Sequence, residues 1–487
     1  MDKSSGDGGN VFLVRLVQVY ESFRRAELEA IADLLEFKMD ILDYNDDSPF
    51  CLVRLPSIQN ARALISRTII AHAIYVLWGS GSDYPSLRTS VREQSAHLWA
   101  PFAESSFRFE IDSFRGKRSM KEQRSIIESF SWLPLNGPIV MRGAELTLTV
   151  FEDWAAGDQK RRSQEQKPDS ESQDPESAIA SSSLPRPPQP KRLYLGQLIA
   201  ESGRSHALAK YDLKKRVYVS TTSFAAEIAL VTANMAHAAP GRLLYDPLAG
   251  TGSLPVACAH FGAMTCGSDI DGRMIRGKGG RRSVVGNFEQ YGFKERWLDG
   301  WVSDLTNSPL RGLGDEEATR RAGWLDGIVC DPPYGVREGC KTLGKRREER
   351  NAVVEGPVYI DGKLSHLLDG YVPPKKPYSF DAMLDDILEF AAVMLVENGR
   401  LAMWVPTANE NNIALVTPMH PHLELVSECI QSFNKWSRRL LTYRRLRAGE
   451  IDRSTKSRKR TYGTGVTANE LNSFRKKYFE GFKPTQS

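Results

Sequence analysis

No two of the six cysteines form a CxxC pair: they stand alone at Cys51, Cys258, Cys266, Cys330, Cys340 and Cys429. The histidines do not gather beside them. That spacing offers neither a zinc ribbon nor a disulfide framework, so no metal site is expected and a reducing, cytoplasmic setting is. Long apolar runs are missing too, and nothing approaches the ~18 residues of a bilayer-spanning helix. Near the N-terminus Arg15 interrupts VFLVRLVQVY, which leaves no signal-peptide core. Charge of one sign is not in excess: 65 basic residues face 60 acidic ones, a net +5 that identifies no partner. What remains is 41% hydrophobic and 26% charged, the composition of a globular protein, at 487 residues too long for one ordinary domain.

Apolar side chains are lacking from 157 to 192, GDQKRRSQEQKPDSESQDPESAIASSSLPRPPQPKR, where Ile179 and Leu184 are the only large aliphatics. Such a stretch cannot offset the entropy of ordering it and is expected to be a disordered insertion. Before it, VFLVRLVQVY, CLVRLP, SFRFEIDSF and IVMRGAELTLTVFEDW read as strands. Glu21–Glu36, ARALISRTIIAHAIYVLW and MKEQRSIIESFSWL read as helices, which makes the region α+β. Arg115, Lys117, Arg118, Lys121 and Arg124, interleaved with Phe114 and Met120, fit either a solvated face or a nucleic-acid contact. After the insertion, RLLYDPLAG, MTCGSDID, ERWLDGWVSD, LDGIVCDPPY and GRLAMWVP alternate with helical stretches such as FAAEIALVTANMAHAA and FDAMLDDILEFAAVMLVENG. That order predicts a mainly parallel, doubly wound sheet, whose ligands bind at the carboxyl ends of the strands.

The conspicuous residues stand at those ends. Asp246 closes the first strand and Gly250-Thr251-Gly252 form the turn into a helix. A dinucleotide fingerprint is absent, because Pro255 takes the third glycine's place; a P-loop is absent, because no Gly-Lys-Ser/Thr follows. Phosphate binding is therefore disfavoured, and a smaller adenosine cofactor is left. Asp269, at the next strand end, is placed to grip ribose hydroxyls, and Asp304, at the third, to accept from an adenine amine.

The fourth strand runs into Asp331-Pro332-Pro333-Tyr334. Two prolines hold the acid and a backbone carbonyl extended, where both can accept from an exocyclic amine. Tyr334 can stack on an extruded base. This corner suits methyl transfer to an amino nitrogen by in-line displacement, with positioning as the main source of rate. Beyond it, Arg337, Lys341, Lys345 and Arg346 are candidates for gripping nucleic-acid phosphates. The run from Lys435 to Arg460, with Trp436 and Tyr443 among its basic residues, reads as a further nucleic-acid contact or a charged tail.

DPLAGTGS, GSDIDGR and DPPYGVREG resemble the AdoMet-dependent amino-methyltransferases of the Asn/Asp-Pro-Pro-Tyr type. The wider chain, from VRLVQVYESFRRAELEA through YDLKKRVYVSTTSFAAEIAL, is similar to the eukaryotic tRNA (guanine-10-N2)-methyltransferase family. The resemblance implies an α/β, class I Rossmann-like AdoMet methyltransferase domain at 217–447, after a ferredoxin-like domain at 1–79 and a THUMP RNA-binding domain at 80–155. The insertion would fill 156–192, a linker 193–216 and a basic tail 448–487. Carried over residue by residue, Asp246, Gly250, Thr251, Gly252, Asp269, Asp304, Thr222 and Ser223 would hold S-adenosyl-L-methionine, and Asp331, Pro332, Pro333 and Tyr334 would be catalytic. The implied reaction is methylation of the N2 amine of a guanosine in tRNA. The implied partners are tRNA, with neither DNA nor membrane, and a small zinc-binding activator that adds a strand to the edge of the catalytic sheet. WLDGWVSD is the candidate edge, with Trp297 and Trp301 as anchors. Methylation of another RNA or DNA base or of protein glutamine would use the same corner, and a non-catalytic RNA-binding protein could keep the fold.

Overall fold

The computed structural model describes residues 9–155, 189–310, 323–343, 359–368, 371, 374–408, 417–434, 436–451 and 467–480. Most of the 157–192 stretch, and with it the reading of an insertion, lies outside them. The chain divides into two compact units, the first comprising residues 1–19, 35–66 and 71–202, the second 20–34, 67–70 and 203–487.

The first unit is one seven-stranded sheet. Its strands are β1 (Asn10–Leu16), β2 (Asp40–Asp43), β3 (Phe50–Leu55), β4 (Ala71–Gly81), β5 (Phe107–Phe114), β6 (Leu146–Asp153) and β7 (Arg192–Glu201). They lie in the order β2-β3-β1-β4-β7-β6-β5, antiparallel except for β5 against β6. An aromatic cluster fills one face, with Phe151 edge-on to Tyr75 at 4.8 Å and to Phe50 at 5.4 Å. Two features differ from expectation. AHAIYVLW is strand β4 and does not continue the Ile58–Arg67 helix. Its centre is buried on both faces, and a strand of that kind carries no alternation to separate it from a buried helix. Residues 193–201, expected to be linker, form most of β7, a central strand between β4 and β6. Arg118 is not a free surface cation, for it pairs at 2.7 Å with the fully buried Glu152, which also accepts from Tyr84 and Ser113.

The second unit is the doubly wound sheet. β8 (Leu243–Asp246), β9 (Met264–Asp269), β10 (Trp297–Val302), β11 (Leu325–Cys330) and β16 (Leu395–Ala408) are parallel; β17 (Leu423–Ser432) and β18 (Trp436–Arg445) run antiparallel at one side. Two short antiparallel pairs complete the set: β12 (Lys341–Leu343) with β15 (Lys375–Pro377), and β13 (Tyr359–Ile360) with β14 (Lys363–Leu364). The order β10-β9-β8-β11-β16-β18-β17 reverses direction between β8 and β11. Such a reversal opens a crevice at the carboxyl ends of the strands. β18 overturns the tail reading for 436–445: Arg439 and Arg445 are buried in the sheet, Arg439 pairing with Glu428 at 2.9 Å. A strand with four arginines in ten residues looks, without its neighbours, like a basic segment.

The Glu21–Leu34 helix belongs to this second unit. Its Glu27 is fully buried and accepts from the backbone N–H groups of Ile69 (3.0 Å) and Ile70 (2.8 Å) and from the Asn234 amide (2.7 Å). Burial raises its carboxyl to about 7, although all three donors and Arg67 oppose that. On the same helix Phe23 stacks on Trp404 at 5.9 Å, and the Ser22 hydroxyl bonds both the N–H and the C=O of Ile430 on edge strand β17.

Removing the Glu27 carboxyl leaves three buried donors unmet, at a cost on the order of 3 kcal/mol. Glu27→Ala is therefore expected to lower the urea midpoint well beyond Glu27→Gln, which keeps an acceptor oxygen. Equal midpoints for both variants and the parent chain would show that these bonds contribute nothing.

Candidate active site

The first strand end is built around two glycines with different tasks. Asp246, almost fully buried, turns the chain by accepting from the N–H of Leu248 at 3.0 Å. Gly250 has a φ of +52°, and a Cβ there would meet nothing within 4 Å, because that side of the residue faces an open cavity. Gly252, at φ +78°, caps the Ser253–His260 helix, and a Cβ would come within 2.9 Å of the Val284 side chain. Thr251 is held by a hydroxyl–hydroxyl bond to Ser223 at 2.8 Å, which brings the 220–224 segment over the turn.

Asp269, at the end of β9, accepts from Gly250 N–H at 3.1 Å through one oxygen and from Asp271 N–H at 2.8 Å through the other. A carboxylate has about four lone-pair sites, so each oxygen keeps one for a ligand hydroxyl. Burial raises this carboxyl to about 6 against the pull of both N–H groups. Asp271 caps the short Gly272–Arg276 helix and is held down to about 2, chiefly by hydrogen bonding to Arg273. Asp304 is more heavily engaged, accepting from Thr342 Oγ1 (2.6 Å), Leu343 N (2.8 Å) and Thr306 N (3.1 Å). It ties β12 to the end of β10 as well as lining the cavity.

β11 delivers the fourth corner. The Tyr334 hydroxyl donates to Asp331 Oδ1 at 2.5 Å, and the Cys340 thiol donates to the Pro333 carbonyl at 2.9 Å. Burial raises the Asp331 carboxyl to about 6; the positive charge of Arg438 and the Tyr334 bond draw it back. Arg438 comes from β18 and lies over Phe224 at 4.2 Å and Trp404 at 4.7 Å, its Nε bonded to Gln431 at 2.6 Å.

These corners share one cavity of about 610 Å³, within the second unit. Its lining includes Thr222, Ser223, Asp246, Gly250, Thr251, Asp269 and Asp304 on one side and Asp331, Pro332, Pro333 and Tyr334 on the other. Arg337 and Lys341 lie at the same cavity, Arg337 donating to the Thr221 carbonyl at 2.7 Å. Gly252 stands behind the wall as the helix cap. Lys345 and Arg346 lie outside the described residues. Sequence reasoning missed the inward role of Arg438 and Trp436, read as part of a basic segment, and of Phe433, Phe474 and Tyr478, which it left unread. The signal for Arg438 and Trp436 was the apolar pair Leu440-Leu441 set between the arginines of 436–445.

The chemistry of the lining fits a positively charged nucleoside. Burial raises Asp246 well above the usual carboxylate range, and the negative charges of Asp269 and Asp331 add to the shift. Acids that discourage one another's ionisation favour a cation between them. The volume falls in the range of small-molecule sites, and the open side of Gly250 leaves room for ligand against backbone. At the β10 edge, Trp297 packs on Phe288 (5.0 Å) and Trp301 stacks on Tyr245 (5.5 Å), so neither is the outward anchor expected of it. Leu298 and Val302 are the exposed apolar residues of that strand, which among the described residues pairs only with β9.

Two family descriptions match the chain: Tmrp11 THUMP N-terminal domain over residues 10–173, and RMKL-like, methyltransferase domain over 214–346. Among curated proteins, tRNA (guanine(10)-N(2))-methyltransferase of Saccharomyces cerevisiae is 40% identical, covering 97% of this chain and 99% of that protein. Its namesake in Schizosaccharomyces pombe is 38% identical over 83% of this chain and 75% of its own. The human protein named tRNA (guanine(10)-N(2))-methyltransferase TRMT11 is 29% identical over 97% and 96%.

If Asp269 grips a ribose, Asp269→Ala should weaken S-adenosylmethionine binding by about 10- to 100-fold in calorimetry. With a carboxyl at about 6, protonation removes an acceptor as pH falls, so the parent affinity should drop between pH 7 and 5.5. The variant should lose that dependence; an unchanged dissociation constant would make Asp269 purely a turn-former.

Proposed function

The chain belongs to the tRNA (guanine(10)-N(2))-methyltransferase family, and we propose that the cavity between β8, β9 and β11 is where its two substrates meet. It is a transferase that uses S-adenosylmethionine to methylate the N2 amine of a guanosine in tRNA, at position 10 as the relatives' names specify. The observation that supports this assignment of residues is the shared cavity: the glycine turn and the Asp331–Tyr334 corner line it together. Asp269 would hold the ribose, and Gly250 and Thr251 the neighbouring backbone wall. Thr222 and Ser223 would close over the ligand, and Asp304 would bound the adenine end. Bound S-adenosylmethionine supplies an electrophilic methyl on a cationic sulfur.

Asp331 and the adjoining backbone carbonyl then accept the two N–H groups of the guanine amine. That aims the nitrogen lone pair at the methyl carbon. Positive charge growing on that nitrogen as it takes the methyl group would be met by the Asp331 carboxylate. The extra proton leaves through that carboxylate to water. For the acid to serve it must be ionised, and Arg438 beside it favours that form. Tyr334, whose hydroxyl bonds Asp331 in this structure, would offer its ring to the base. Arg337 and Lys341 at the cavity would meet RNA phosphates, and the 10–173 region would bind tRNA. All six cysteines are buried, as suits a reducing, cytoplasmic setting. No helix among the described residues is long and apolar enough to cross a membrane.

The activator reading attaches to β10, whose outer side carries no strand among the described residues. A strand added there would meet free backbone groups, with Leu298 and Val302 as apolar contacts.

Labelled-methyl transfer to unmodified tRNA by the chain with its activator, followed by nucleoside analysis, should yield N2-methylguanosine. Asp331→Ala should lower that rate about 10³-fold with tRNA affinity retained; a methyl on any other base would overturn the reading. With Asp331 titrating at about 6, the single-turnover rate should climb as pH rises through that value and level off above 7. A rate flat down to pH 5 would rule out a carboxylate requirement. Charge at the open edge, as in Leu298→Glu with Val302→Glu, should abolish co-purification of the activator while S-adenosylmethionine still binds. Undiminished co-purification would place the partner elsewhere.

A further inference from the structure

The segment from Thr467 to Glu480 returns to the reaction corner from far along the chain. It opens on a reciprocal cap, Thr467 N–H to Glu470 (3.0 Å) and Glu470 N–H to Thr467 Oγ1 (3.4 Å), and the Leu471 carbonyl accepts from Phe380 N–H at 3.0 Å. Asn472 then uses both ends of its amide. Its oxygen accepts from Arg475 N–H at 2.9 Å and so starts the Ser473–Glu480 helix. Its nitrogen donates to the backbone carbonyl of Tyr334 at 3.0 Å, 138 positions away in sequence. The next carbonyl, of Gly335, accepts from the Arg475 guanidinium. Gly335 has a φ of +83°, and a Cβ there would sit 2.6 Å from the Asn472 amide. Two consecutive carbonyls after Pro333 are thus held by side chains of one short helix.

The same helix supplies rings. Phe474, 2% exposed, meets Tyr334 edge-on at 6.4 Å and Trp436 at 5.8 Å. Trp436 meets Tyr334 at 5.9 Å and stacks on Phe433 at 4.6 Å. Phe474, Tyr478, Trp436 and Phe433 all line the cavity that holds Asp331 and Tyr334.

We propose that this C-terminal helix completes the acceptor-base site, with Asn472 and Arg475 as positioning residues for the Tyr334–Gly335 backbone and Phe474 as a wall against the base. The proposal rests on the methyl-transfer reading of the cavity. A planar base needs a ring whose tilt is fixed, and Tyr334 is set by its own backbone and by the rings packed on it. In-line transfer is sensitive to displacements of about 1 Å, so loosening this support acts on the chemical step. The Asn472 and Arg475 side chains bond the Tyr334 and Gly335 carbonyls, next to Asp331, so their loss is expected to act on the chemical step more than on cofactor affinity.

The test uses the full chain with its activator, unmodified tRNA and S-adenosylmethionine. Phe474→Ala should lower kcat about 100-fold while the S-adenosylmethionine dissociation constant and the tRNA KM stay within about threefold; Phe474→Tyr should recover most of the rate. Asn472→Asp, isosteric but without the amide donor, should lower kcat about 10-fold with the same split. Wild-type kcat in Asn472→Asp and Phe474→Ala would overturn the proposal. So would a loss of cofactor affinity in step with kcat, because the helix would then only support the fold. If Phe474→Ala does not fold, Asn472→Asp and Phe474→Tyr decide alone. A parent enzyme that makes no N2-methylguanosine in tRNA would instead undo the underlying reading, an outcome separate from active parent with unaffected variants.

Discussion

Crowding of acids at a strand crossover governs this molecule. The sheet reverses between β8 and β11, so Asp246, Asp269 and Asp331 arrive from neighbouring strands into one enclosed space. Each is buried enough to resist ionising, and Asp246 is further disfavoured by the other two. A fold does not accumulate buried like charges for stability. A cation bound among them, such as the sulfonium of the proposed donor, would favour their ionised forms, and a neutral thioether would not.

Much of this was legible in the sequence because the informative residues mark strand ends. Asp246, Gly250, Asp269 and the Asp-Pro-Pro-Tyr run each carry a local reason to be where they are, and all line one cavity. Residues whose role depends on distant neighbours were not legible. Arg438 and Trp436 sit in a run dense with arginine, and only the pairing of β18 with β16 and β17 turns Arg438 inward and sends Arg439 to Glu428. β4 was read as helix because a strand buried on both faces has no period of its own.

The tryptophans of β10 teach the converse. Trp297 and Trp301 have the size and placement of interface anchors, yet they pack inward on Phe288 and Tyr245. The smaller Leu298 and Val302 are left facing out. Residue type alone does not say which side of a pleat is free; that is set by where the covering helices lie.

The placement of β7 bears on how the chain is made and cut. Arg192–Glu201 sits in the middle of the first sheet, bonded to β4 on one side and β6 on the other. During synthesis the four strands through β4 and the pair β5–β6 emerge earlier, but they cannot join until residue 201 clears the ribosome. A fragment ending near 155 would lack its keystone and present two bare strand edges, an invitation to aggregate rather than a working RNA-binding module.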